Sequence, residues 1–87
     1  MRTDKSPPRR SWTVRGAADL GRTVSGVRRE NGLTQQDLAE QAGIDRTYLA
    51  RLEAGAETLL LERALRALRR MGAVVRVELP GDNGPQS

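Results

Sequence analysis

Residues 34–53 read TQQDLAEQAGIDRTYLARLE. Thr34 suits an N-cap, since its hydroxyl can accept from amides left free at a helix start, and Asp37 stands at the capping-box position. Leu38, Ala39 and Ala42 then form an inward face. Gly43 permits the sharp turn that ends this helix after about eight residues. Asp45 caps a third helix, in which Leu49 and Leu52 point inward and Ala54-Gly55 close the end. Small Ala39 sits where the two helices cross. The apolar set turned toward the core is Leu38, Ala42, Ile44, Leu49 and Leu52.

Upstream, Ala17, Leu20, Val24 and Val27 recur at the spacing of one helical face, with Asn31-Gly32 as the stop, so a helix precedes the pair. Downstream, Glu57 and Thr58 open a fourth. In it Leu61, Leu65 and Leu68 make one stripe, Leu60, Ala64, Ala67 and Met71 make the adjacent one, and Gly72 is the C-cap. A surface helix needs one stripe only, so the second calls for burial against more of the chain or a partner.

After Gly72 the period changes to two: Ala73, Val75, Val77 and Leu79 alternate with Val74, Arg76 and Glu78. A lone strand leaves backbone groups unpaired, and the other candidate strand is the short Trp12 to Val14. The expected partner is a second copy of the chain. Antiparallel pairing about a two-fold axis near Val77 sets Arg76 opposite Glu78, which makes Val75, Arg76, Val77, Glu78 and Leu79 the expected dimerisation segment.

The chain has 87 residues, no cysteine and no histidine. That length gives one small domain with a marginal core, and without Cys or His there is no disulfide and no common zinc site to reinforce it. Oligomerisation remains. No enzyme is expected, because there is no His or Cys, and a Ser or carboxylate would need a pocket that so few elements hardly build; no cofactor or metal is implied. No apolar run approaches the roughly 18 residues of a membrane span, which points to a cytoplasmic protein. The net charge of +4 is uneven: residues 1–15 hold five basic side chains against one acid, and the remainder is balanced. Residues 1–15 therefore read as a flexible basic arm, 16–72 as the folded domain, 73–79 as the dimerising strand and 80–87, rich in turn-formers, as a flexible tail.

Two short helices joined by a glycine turn follow the helix-turn-helix plan. An ordinary helical hairpin is the competing reading, and against it stands the outward face of the third helix. Arg46, Thr47, Ala50 and Arg51 make that face donor-rich and small, a shape that a major groove admits.

The run Gly32-Leu33-Thr34-Gln35-Gln36-Asp37-Leu38-Ala39, with Gly43-Ile44 and Leu49-Ala50-Arg51-Leu52-Glu53, resembles the Xre/Cro family of helix-turn-helix repressors. The short Val-rich segment Gly72 to Leu79 after the fourth helix looks like the HipB-type antitoxins within it. The resemblance implies an all-α fold, a four to five helix bundle of the lambda-repressor-like type plus a C-terminal strand paired between subunits. It further implies a homodimeric repressor of its own operon on palindromic operator DNA, nucleoid-associated, that neutralises a HipA-type Ser/Thr kinase toxin. One departure is the tail: the family prototype has a longer C-terminal extension toward the toxin, whereas eight residues follow Leu79.

Residue by residue, the resemblance makes Gln35 a phosphate anchor at the start of the second helix, where free amides and the helix dipole already suit an anion. Arg46 and Thr47 become readers of base edges, with Ala50 on the same face. Arg51 and Tyr48 touch the DNA backbone, although an aromatic body equally suits partial core packing. Asp45 fits capping better than base reading. Arg28 and Glu53 match a family pair, a buried ion pair that sets the angle of the third helix. Arg63, Arg66, Arg69 and Arg70 read as a solvated face, with an acidic toxin surface as a possible target for some of them. The arm reads equally as a solvated tail or a strip along the minor groove. Trp12 is a candidate to pack on the first or fourth helix or on the terminal strands.

Overall fold

The computed structural model describes residues 9–56 and 59–81. In chain order these form β1 (Arg10–Val14), α1 (Ala17–Glu30), α2 (Gln35–Ala42), α3 (Arg46–Glu53), α4 (Leu59–Arg70) and β2 (Val75–Leu79). The expected opening of α4 at Glu57-Thr58 lies outside the described residues, as do residues 82–87 of the expected tail.

Local chemistry sets the ends of the central helices. The Thr34 hydroxyl accepts from the Asp37 amide at 3.0 Å while the Asp37 carboxylate accepts from the Thr34 amide at 3.0 Å, a complete capping box for α2. Gly43 then adopts φ 71°, in the left-handed region that a side chain disfavours, and turns the chain into α3. The Asp45 carboxylate accepts from the Thr47 amide at 3.1 Å, so Asp45 caps α3.

The strand expectation needs correction. β2 pairs within the chain, antiparallel to β1, with Arg10 opposite Leu79, Trp12 opposite Val77 and Val14 opposite Val75. Arg76 therefore faces Thr13, and Glu78 faces Ser11, of the same chain. β2 also begins at Val75 rather than Ala73. The basic arm is correspondingly shorter, because Arg10–Val14 is strand and Val14 is buried, while residues 1–8 lie outside the described part. Burial along β2 alternates, with Val75, Val77 and Leu79 half-buried and Arg76 and Glu78 exposed.

Among the described residues Val14, Ala17, Ala39, Leu49 and Leu65 are the buried apolar ones, in a slab of 38 × 36 × 16 Å. One side-chain layer is all that such a thickness allows, since a helix with its side chains is already about 10–12 Å across. Leu20, Val24, Val27, Leu38 and Val77 are accordingly half-buried, around an apolar groove of about 270 Å³ between α1, α2 and β2. The expected inward set is also trimmed. Leu38 and Leu52 are half-buried, but Ala42 and Ile44 are exposed, because the helices meet nearer the buried Ala39 and Leu49.

Two glycines allow the close approaches. A Cβ on Gly21 would collide with the backbone carbonyl oxygen of Leu52 and lie 2.8 Å from that of Glu53, so α1 and α3 touch there backbone to backbone. A Cβ on Gly26 would lie 2.7 Å from the Trp12 ring, which places Trp12 on α1. The Arg10 guanidinium sits 4.8 Å above that ring, a cation–π contact. The start of α1 is tied to α4: the Ala17 amide donates to Glu62 Oε2 at 2.8 Å, placing a carboxylate where the helix dipole favours it. Arg69 is exposed, as a solvated face requires, and also donates to the Arg15 carbonyl.

Candidate nucleic-acid interface

Because Leu49 is the buried side of α3, its other faces turn outward. Arg46, Thr47, Tyr48 and Arg51 are all exposed, and Ala50 is half-buried. Tyr48 is 55% exposed, which places its ring on the surface rather than in the core. Arg46 and Arg51 carry no ion pair among the described residues, so both guanidinium groups are available to an anion or a base edge.

At the start of α2 the capping box occupies the amides of Thr34 and Asp37, and the first helical bond runs from Leu38 to the Thr34 carbonyl. The Gln35 and Gln36 amides between them point out of the helix end, where the dipole favours an anion. Gln35 is half-buried, and its side-chain amide donates to Glu53 Oε1 at 3.0 Å.

That contact belongs to a network whose extent sequence reasoning missed. Arg28 and Glu53 form a bidentate pair, Nε to Oε2 at 2.7 Å and Nη2 to Oε1 at 2.9 Å, with side chains 10% and 6% exposed. Arg28 Nη1 donates further to the Leu33 carbonyl at 2.8 Å. A single carboxylate on α3 thus holds an arginine of α1 and a glutamine of α2, and the arginine also holds the α1–α2 turn. The arginine hydrogen bonds keep the Glu53 carboxyl below its ordinary range against the opposing effect of burial, with the Gln35 bond and the charges of Arg28 and Arg29 helping. The same bonds raise Arg28. The Thr34 backbone and hydroxyl lower Asp37, and the Arg15 amide, followed by Arg22, lowers Asp19. No local signal marks Gln35 as the third member, since its spacing from Glu53 matters only once α2 and α3 have crossed.

The basic side chains of the arm are partly spoken for. Arg10 pairs with Glu30 at 2.9 Å and Arg9 lies 3.8 Å from the same carboxylate, so one acid offsets about half of their charge. Among the described residues no helix is long and apolar enough to cross a membrane, and no three His, Cys, Asp or Glu side chains group as metal ligands.

The family model described as helix-turn-helix matches residues 27–74, more than half of the chain. Over 69 residues the chain is 33% identical to an uncharacterized HTH-type transcriptional regulator, y4mF, of Sinorhizobium fredii (strain NBRC 101917 / NGR234). That likeness spans 79% of this chain and 91% of the relative. No solved structure matches the chain significantly.

Proposed function

The chain belongs to the helix-turn-helix family and is a DNA-binding transcriptional regulator; from this premise we propose that it is a homodimeric repressor of its own operon and the antitoxin of a HipA-type Ser/Thr kinase. It acts by occupancy and not by catalysis, in the cytoplasm on the nucleoid. The observation that carries the reading is the row of exposed, unpaired donors on α3 above the Arg28–Glu53–Gln35 network. Arg46 and Thr47, in the first turn of α3, read base edges, with Ala50 leaving room beside them. Tyr48 and Arg51 meet the DNA backbone, and the free main-chain amides of Gln35 and Gln36 hold a phosphate at the start of α2.

Dimerisation completes a palindromic site, whose half-sites lie about 34 to 36 Å apart. β2 has β1 on one side and, among the described residues, nothing on the other. A second copy added at that edge about Val77 sets Arg76 opposite Glu78 and makes a four-stranded sheet, so Val75–Leu79 can serve both β1 and a partner.

Arg46→Ala is expected to relax preference at one base pair in each half-site, for roughly 1 to 3 kcal/mol, in selection from randomised DNA. Gln35→Ala keeps the main-chain amide but removes the bond that seats the start of α2 on Glu53, and should weaken every sequence alike. If Arg46→Ala lowers affinity with its preference intact, α3 does not read bases through that residue.

The antitoxin half rests on the Val-rich segment Gly72 to Leu79 and its likeness to HipB-type chains. Native pull-down of the protein is expected to recover operator DNA together with a kinase. Operator DNA alone would leave a stand-alone Xre-type regulator.

A further inference from the structure

Among the described residues, nothing covers the second apolar stripe of α4. Leu60 and Met71 are 81% and 74% exposed, and Ala64 and Ala67 between them are exposed as well. The adjacent stripe takes the inner side, with Leu65 buried and Leu61 and Leu68 half-buried. The spacing of Leu60, Ala64, Ala67 and Met71 keeps them on one face over roughly three turns, about 16 Å. Contiguous exposed apolar surface with a polar rim marks a place of interaction.

The rim says what fits. Arg63 and Arg70 flank the stripe on its solvent side, Arg66 lies one step further round, and all three are exposed and outside every ion pair among the described residues. Glu62 is the helix's one acid, and it is turned away to the Ala17 amide. A second copy is a poor match. Antiparallel pairing of α4 with itself would set Leu60 beside Met71, yet it would bring Arg63 and Arg70 of both copies to one seam with no acid between them. DNA would satisfy the arginines and leave the apolar row in water.

We propose that the outer face of α4 receives an acidic amphipathic helix of a protein partner. Apolar side chains of that helix lie along Leu60, Ala64, Ala67 and Met71, the two alanines allowing close approach, while its carboxylates meet Arg63, Arg66 and Arg70. The stripe shares no residue with the α3 row, so on this proposal DNA and the partner are held together. Its partner need not be the kinase proposed above.

The test uses the full chain and two labelled peptides of the same leucine pattern, one with glutamates and one with lysines on its flanks. Anisotropy titrations should show the acidic peptide binding more than about tenfold tighter than the basic one. Leu60→Asp and the double variant Arg63→Glu, Arg70→Glu should each lose about tenfold or more of that affinity while operator affinity is unchanged. Equal binding of both peptides, or of the variants, overturns the proposal. A fall in operator affinity on charge reversal would assign the arginines to DNA instead. Conversion of a sedimenting dimer to monomer by Leu60→Asp, with no effect on the peptide, would assign the stripe to a second copy.

Discussion

Glu53→Ala is expected to lower the stability of the fold by roughly 3 to 5 kcal/mol, measured by urea denaturation, because it strands the largely buried Arg28 charge. For a domain of this size that is a large fraction of the total stability. The substitution also frees Gln35 and removes the tie among α1, α2 and α3, so operator affinity measured well below the unfolding midpoint should fall too. Replacing Arg28 and Glu53 together by methionine separates the two roles. An apolar pair of similar volume often matches a buried ion pair in stability, so the double variant should recover most of the loss in urea. It should not recover operator affinity, since methionines have no directional bond with which to hold Gln35 or the Leu33 turn. Recovery of both would reduce the network to packing.

The same network sets an acid limit. The folded chain holds the Glu53 carboxyl below its ordinary range, so folding keeps it ionised where the unfolded chain would protonate it. Its contribution is complete above the unfolded value, about 4.3, and drains away as pH falls through the lower folded value. The wild-type midpoint in urea should therefore drop below about pH 4.3 more steeply than that of the double methionine variant. Parallel profiles would show that Glu53 titrates alike in both states.

What was legible in the sequence divides by distance along the chain. Thr34, Asp37, Gly43 and Asp45 act on amides within a few residues, so the ends of α2 and α3 could be read directly. β1 could not. Arg10–Val14 carries one aromatic and one valine among polar neighbours, and it is a strand because β2, more than sixty residues later, lies against it. The period of β2 was plain, but no period says whether the pairing edge belongs to the same chain or to a copy. Glu62 likewise looks like an ordinary helix-surface acid until α1 arrives at its carboxylate. On the candidate interface, the exposed donors of α3 follow from helical spacing around Leu49, whereas the bond from Gln35 to Glu53 depends on a crossing angle that spacing does not contain.

Gly21 shows the same limit with the next largest consequence. In a helix interior Gly→Ala should gain up to about 1 kcal/mol from propensity alone. At Gly21 the added Cβ meets the carbonyl oxygens of Leu52 and Glu53, which are backbone and cannot rotate aside as a side chain would. Overpacking of this kind typically costs 1 to 3 kcal/mol, so Gly21→Ala is expected to be a net loss of about 1 to 2 kcal/mol and Gly21→Val a larger one. Gly26 is the comparison, because its Cβ meets the Trp12 ring, a side chain at the edge of the fold that can give way. Gly26→Ala should cost less in thermal denaturation. If Gly21→Ala stabilises the protein as propensity alone predicts, α1 and α3 do not touch backbone to backbone at Gly21. The collision includes the carbonyl of Glu53 itself, so moving α3 to relieve it also moves the carboxylate away from Arg28. Gly21→Ala and Glu53→Ala should therefore combine to less than the sum of their separate losses, the non-additivity expected of residues that share one contact.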